Sequence, residues 1–347
     1  MSENHTSSIR RILETVFLKL ISDGKMEPDR LADLKLRPPS NEGFGDLCSN
    51  CLMLLAQEEA LKDEDNAALF IAPLKVLTFV QSVDVASNGY LNITIKPSYW
   101  FDRMVDLLND FKAFEQSAAT ALKVRHQMVE VPQNSEGLTN ARRVWNAEAL
   151  GHLAVKLDCQ LETVPGPEAQ QAGFPAQAAI AKCGLARTKL AVLSNAPDFS
   201  VNFSPVLAID ASYDNPVFSL AYAHARIQSM LARVEKVSAD GQLLHPISDS
   251  SIELNQRLEK QLLKMVCDWP DIAVQTWEKR DMLHLFSFLQ DLTLLFFALV
   301  EKERPQSTDY LMETEKGGGR QLLFRAVDRL ICEGLGLVDF DILEEFV

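Results

Sequence analysis

Between residues 7 and 22 the apolar positions Ile9, Ile12, Leu13, Val16, Phe17 and Leu20 fall on one face of a helix. Leu34 and Leu36 alternate around Lys35 until Pro38-Pro39 ends the run, and Asp46 reads as the N-cap of an apolar helix over 47–56. A further helix is expected over about 65–79. Val83 and Val85, the Asn88-Gly89 turn, and the alternation of Leu91, Ile93 and Ile95 with Tyr90, Asn92 and Thr94 predict a β-hairpin. A helix over about 99–111 closes this α+β region.

Residues 126–164 read as strand, loop, helix and strand, one βαβ unit, followed by the Pro/Gly/Gln segment 165–175, which fits a loop or linker. Beyond about 205 the periodicity is helical throughout. Asn215 caps, Pro216 takes the first helical position, and Val217, Leu220, His224, Ile227, Leu231 and Val234 repeat at three and four. Helices are expected at about 252–268, 271–279, 282–302 and 319–333, the last capped by Gly334. The expected fold is thus an α+β N-terminal domain (1–118), a short βαβ remnant (119–204) and an all-α C-terminal bundle (205–347).

Composition narrows the function classes. The 347 residues carry 34 Lys+Arg against 48 Asp+Glu, a net charge of −14, which disfavours broad polyanion binding. No run of apolar residues approaches the ~18 of a membrane span and no basic leader precedes an apolar core, so a cytoplasmic chain with no membrane contact is expected. Six cysteines are scattered, and Cys48-Ser-Asn-Cys51 has neither a second pair nor nearby histidines to complete a zinc site. Buried, reduced, structural cysteines, no metal and no cofactor are the expectation.

The stretch Asp214-Asn-Pro-Val-Phe-Ser-Leu-Ala-Tyr-Ala-His-Ala-Arg-Ile227 resembles the signature that opens the anticodon-binding helical domain of arginyl-tRNA synthetases, departing from it at Ala221, usually glutamine. Leu36-Arg-Pro-Pro, Phe44-Gly-Asp and Gly89-Tyr-Leu-Asn-Ile93 look like that family's additional N-terminal domain, which meets the tRNA elbow. The helix 322–337 is similar to its closing helix, and 183–203 to its stem-contact region. Aligned without gaps on Val129-Glu130 and Gly151, the family's nucleotide-binding His-Val-Gly-His tetrad falls on Ala141-Arg142-Arg143-Val144, with both histidines and the glycine replaced. No Lys-Met-Ser-Lys-Ser-like loop is present. Only 62 residues separate Gly151 from Asp214, too few for the second half of a doubly wound nucleotide domain, so 165–176 reads as a join across a lost catalytic body.

The candidate tRNA-binding residues follow from that resemblance. Tyr222, Arg226, Ser229 and Arg233 form a polar stripe beside the apolar one: Tyr222 is suited to stacking, Arg226 and Arg233 to phosphates or base edges, and a solvated helix face is the alternative. Tyr90 and Asn92 share one hairpin face, which meets the D-loop in the family; a half-buried sheet face is the alternative. His224, on an apolar stripe, reads as a core histidine satisfied by a neighbour. Arg142-Arg143 either point to solvent or hold an anion at a helix start, and Gly317-Gly-Gly319 reads as a linker. No catalytic residue is assigned. Two features run against RNA binding: the chain ends in Glu344-Glu-Phe-Val347, and 205–347 carries 14 Lys+Arg against 23 Asp+Glu, net −9.

The leading expectation is a noncatalytic synthetase-like protein that binds tRNA, with arginine tRNA the candidate, as adaptor or regulator. The alternative is a protein-interaction module partnering a synthetase or a tRNA-modifying enzyme. An arginine-tRNA ligase by descent is the third reading, disfavoured because the donors that would stabilise the transferring phosphates are missing.

Overall fold

The computed structural model describes residues 4–39, 42–58, 66–239, 254, 256–303, 309–313 and 316–342. The start of the helix expected at 252 and the tail Glu344–Val347 lie outside these residues. The chain divides into two compact units, Met1–Trp100 and Phe101–Val347, and each is built separately.

The first unit follows the hydrophobic pattern closely. Helix α1 (His5–Ser22) buries Ile9, Leu13 and Phe17 completely, as the 3.6-residue period requires. A four-stranded antiparallel sheet is formed by β1 (Leu36–Arg37), β2 (Leu47–Ser49), β3 (Val80–Val85) and β4 (Leu91–Ile95), in the order β1-β2-β4-β3. The hairpin turn places Gly89 at φ +78°, conformational space that a side chain would strain. Helices α2 (Cys51–Leu55) and α3 (Ala67–Lys75) complete the unit, Phe70 of α3 packing 6.0 Å from Phe17.

The helix expected over 47–56 is instead a strand followed by a short helix. Leu47, Cys48 and Ser49 are all buried because β2 is paired on both edges, to β1 and to β4. A short run buried all round has no period to separate strand from helix. Asp46 is correspondingly not an N-cap; its carboxylate accepts the backbone N–H of Ile95 at 2.7 Å and ties the start of β2 to β4.

Helix α4 (Pro97–Asn109) spans the division between the units, and α5 (Phe111–Glu115) follows it. In the second unit β5 (His126–Val131), α6 (Leu138–Lys156) and β6 (Gln160–Pro165) form the expected βαβ unit, its two strands parallel from His126–Gln160 to Val131–Pro165. Short helices α7 (Ala176–Cys183), α8 (Leu185–Leu193) and α9 (Pro205–Ile209) lead into the bundle. The bundle is α10 (Pro216–Ala239), α11 (Arg257–Lys279), α12 (Leu283–Glu303), the single turn α13 (Asp309–Met312) and α14 (Gly317–Gly336).

Three expectations are corrected here. The helices expected at 252–268 and 271–279 are one, running through Pro270: burial of Trp269 and Trp277 on its inner face outweighs the lost backbone donor. Gly334 is not a C-cap but lies inside α14, where a β-carbon would collide with the Leu289 side chain of α12. Gly317-Gly-Gly319 opens α14 rather than linking to it. Helix α12 is long and apolar enough by length and composition alone to cross a membrane. It is the bundle's central helix, with Leu285, Phe286, Leu289, Leu292, Phe296 and Leu299 fully buried among its neighbours.

An ion pair is buried inside the bundle. Arg320 Nε donates to Glu259 Oε1 at 2.6 Å, and the Tyr310 hydroxyl donates to the same oxygen at 2.8 Å. Both charged side chains are almost inaccessible, so removing Arg320 would leave the Glu259 charge buried without its ionic partner.

Candidate tRNA-contact strip and the start of helix α6

The first two turns of α6 carry the positions aligned with the nucleotide-binding tetrad, at 141–144. A helix N-terminus exposes unsatisfied backbone N–H groups and favours anions, which is the physical basis of phosphate binding there. Here those groups are already engaged. Leu138 N–H donates to Phe174 O at 2.8 Å and Thr139 N–H to Ala172 O at 3.1 Å, while Ala176 N–H returns to Glu136 O at 2.7 Å. The carboxylate of Glu168 accepts the Asn134 N–H at 3.0 Å and also holds the Asn140 amide. Segment 165–175, expected as a loop or linker, is a loop folded across the start of α6 and brings its own anion. The fold needs Gly137 for this, since a β-carbon there would overlap the Ala172 backbone.

The two arginines of the aligned tetrad are turned into structural groups. Arg142 is buried, its guanidinium donating to Asp281 Oδ1 at 3.0 Å and to Val192 O at 3.3 Å. Asp281 Oδ1 also accepts Leu283 N–H, so Arg142 clasps the N-terminus of α12. Arg143 donates to Pro167 O at 2.6 Å and Glu130 O at 3.3 Å, fastening the folded segment to the end of β5. Neither arginine points freely into solvent or holds a free anion. Their roles depend on partners 13 to 139 residues away, which helix position alone does not reveal.

The candidate strip lies on α10. Asn215 Oδ1 caps the helix by accepting Val217 N–H at 3.1 Å, as expected. Tyr222 is half-buried, Arg226 half-buried, Ser229 and Arg233 exposed. The structure adds aromatic neighbours that the sequence reading missed. Phe218 stacks on Tyr222 at 5.3 Å with planes 10° apart, and Tyr213, 40% exposed, stacks on Phe297 at 4.5 Å. Arg226 Nη1 donates to the Tyr222 hydroxyl at 3.5 Å, so guanidinium and ring edge adjoin. Phe218 was visible one helical turn before Tyr222; Tyr213 and Phe297 come from a loop and from α12 and had no local signal. The Tyr213 hydroxyl is held above its usual pKa by desolvation, then by neighbouring Tyr222 and the Glu301 carboxylate, which marks an acid at the strip's edge.

In the first unit, Tyr90 is half-buried and Asn92 is buried, 9% exposed, opposite Cys48 on one side and Asp84 on the other. The two share a face as expected, but only Tyr90 retains accessible surface worth weighing. His224 is satisfied by a neighbour as expected: its Nδ1 lies 2.7 Å from Asp328 Oδ1. Of the cysteines, four are buried, Cys159 is half-buried, and Cys332 is exposed, contrary to a uniformly buried set. Burial pushes the Cys51 thiol up to about 11, which makes it a poor nucleophile and a poor ligand.

Comparisons with known proteins accord with this architecture. Residues 4–95 match the Arginyl tRNA synthetase N terminal domain, and residues 220–346 match the DALR anticodon binding domain. An arginine–tRNA ligase of Nitrobacter winogradskyi is 32% identical over 91 residues, 26% of this chain and 15% of that protein. One from Brucella suis is 31% identical over 115 residues, 33% of this chain and 19% of that protein. The matched stretches therefore span less than a fifth of these relatives. The solved arginyl-tRNA synthetase of Plasmodium falciparum superposes with a TM-score of 0.59 over 97% of this chain and 98% of that one, at 11% identity, a likeness of fold.

Proposed function

We propose that this chain, an arginyl-tRNA synthetase-like protein that keeps the N-terminal and anticodon-binding domains and lacks most of the catalytic domain, recognises tRNA without charging it. The start of α6 carries this reading. Adenylate formation needs donors free to meet developing charge on phosphate, and here Glu168 and the carbonyls of 172 and 174 use them. A nucleotide would have to expel a carboxylate and break backbone hydrogen bonds before gaining any of its own.

Recognition is assigned to Tyr222, Arg226 and Arg233 on α10, with Tyr90 as a second contact; Asn92, being buried, supports Tyr90 rather than touching RNA. Stacked rings beside a guanidinium suit an unpaired anticodon base, and stacking is worth about 1–3 kcal/mol per base. In this reading the stretch 119–204 is what is left of the catalytic domain, and the protein acts as an adaptor or regulator on tRNA, arginine tRNA being the first to test. The measurement is tRNA binding by fluorescence anisotropy at low salt alongside ATP–pyrophosphate exchange with arginine and tRNA. Binding that falls at least tenfold in Tyr222→Ala and Arg226→Ala, with no exchange, is expected; exchange above background by the pure protein would overturn the noncatalytic reading.

A protein partner, such as a synthetase or a tRNA-modifying enzyme, is the second reading. One observation favours it: within the short α9, Val206, Leu207 and Ile209 are 71%, 59% and 53% exposed, an apolar surface unusual for three residues in four. Capture of a partner that survives nuclease treatment and is lost in Leu207→Glu would support it.

A further inference from the structure

Three side chains of different chemistry converge where α10 meets α14: the imidazole of His224, the carboxylate of Asp328 and the thiol of Cys332. Asp328 and Cys332 are four residues apart and therefore on one face of α14, turned toward α10. His224 Nδ1 is 2.7 Å from Asp328 Oδ1 and 3.6 Å from Cys332 Sγ, and the three ligand atoms lie within 4.8 Å of one another. Both contacts fall on the same ring nitrogen. A nucleophile–base–acid relay would use opposite nitrogens, so the trio is not arranged for thiol catalysis.

We infer that His224, Asp328 and Cys332 form a zinc site joining α10 to α14. The ligand types, one nitrogen, one oxygen and one sulfur, suit this borderline-soft cation. Zinc bonds of about 2.05 Å to nitrogen and about 2.3 Å to sulfur, at a tetrahedral angle, set the two donors about 3.6 Å apart. The present Nδ1–Sγ separation already has that value. The corresponding nitrogen–oxygen edge is about 3.4 Å, so the Asp328 carboxylate must swing back from its hydrogen bond with the ring. The thiolate and carboxylate together balance the ion's two charges, and binding releases the Nδ1 and thiol protons.

The surroundings fit an open site more than a closed one. A cavity of about 440 Å³ adjoins His224 and Cys332, with Asp339 and Asp341 on its wall, so a fourth position faces water. Asp328 Oδ2 accepts Gln228 Nε2 at 2.7 Å, the outer-shell bond that orients a ligating carboxylate. Without metal the same groups form a hydrogen-bonded ion pair, the Asp328 bond and then the Cys332 contact raising the His224 pKa to about 10. The site is independent of whether tRNA binds.

The test uses the full chain, stripped with chelator and titrated with Zn²⁺ against a chromophoric competitor, and separately with Co²⁺, whose thiolate charge-transfer absorption reports sulfur ligation directly. One equivalent bound, a rise in melting temperature with Zn²⁺, and a charge-transfer band lost in Cys332→Ser are expected. His224→Gln is expected to lose stoichiometric binding and Gln228→Ala to weaken it about tenfold. Because Cys332 is exposed, the serine variant should fold, and circular dichroism checks it. No stoichiometric binding by the unmodified protein, or the same affinity and band in Cys332→Ser, would overturn the assignment.

Discussion

Glu115 shows what burial does to a single carboxyl. It is 2% exposed and accepts the Trp269 indole N–H at 3.1 Å. Desolvation raises its pKa, with Glu333 adding repulsion, and Lys156 and Arg329 only partly oppose this. Above the ordinary carboxylate value the unfolded chain gives up this proton while the folded chain still holds it. Stability contributed by the neutral acid is therefore present at low pH and lost as pH rises through the folded pKa. Glu115→Gln keeps an acceptor for Trp269 and removes the charge. Its melting midpoint is expected to exceed that of the unmodified protein near pH 8, by about 2–4 °C per kcal/mol relieved, with the gap closing toward about pH 4. An unchanged gap across that range would contradict the account. At the same scale, sequence alternation gave the face of Asn92 correctly but not its burial, since the covering β2 and β3 strands come from outside its own run.

Element by element, the long periodic segments were legible and the contacts between them were not. The hairpin, the βαβ unit and α10 follow from period and turn chemistry. Composition marks segment 165–175 as loop or linker, because Pro, Gly and Gln describe a chain without regular structure but not where it rests. Its resting place depends on two backbone approaches, Gly137 against Ala172 and Gly173, at φ +77°, against Ser200. Gly137→Ala should lift the segment from α6, leaving the bundle intact. Limited proteolysis reads this out: cleavage between 165 and 175 is expected to accelerate at least tenfold, with far-ultraviolet circular dichroism nearly unchanged. Protection equal to that of the unmodified protein would show that the segment is held by Glu168 and Arg143 alone.

At the scale of the molecule, charge and recognition pull in different directions. The region 205–347 carries net −9, yet α10 presents Arg226 and Arg233 beside stacked aromatics. A local cationic strip in an acidic field gives few phosphate contacts and leans on stacking. The salt dependence of tRNA binding should accordingly be shallow, a log–log slope of about −2 rather than the −6 to −10 of extensive phosphate binders. A slope steeper than about −5 would place the contact elsewhere. Length was the most informative number in the sequence, since 62 residues between Gly151 and Asp214 left no room for a second nucleotide-binding half. What replaced that half was not legible, because it is made of contacts from distant parts of the chain.

One of those contacts sets a timetable for synthesis. Gln127 of β5 donates to Trp277 O, 150 residues further on, and the Trp277 indole N–H donates back to Val124 O. At about 5–20 residues per second, a ribosome needs roughly 8–30 s between making β5 and making the helix that holds it. The first unit, complete at residue 100, can fold in that interval. The βαβ unit emerges early with only α6 to pack its two strands against, and the contacts to Trp277 wait for α11. During that wait Met128, 51% exposed even in the finished fold, and the edge of β5 away from β6 lie open to other nascent chains.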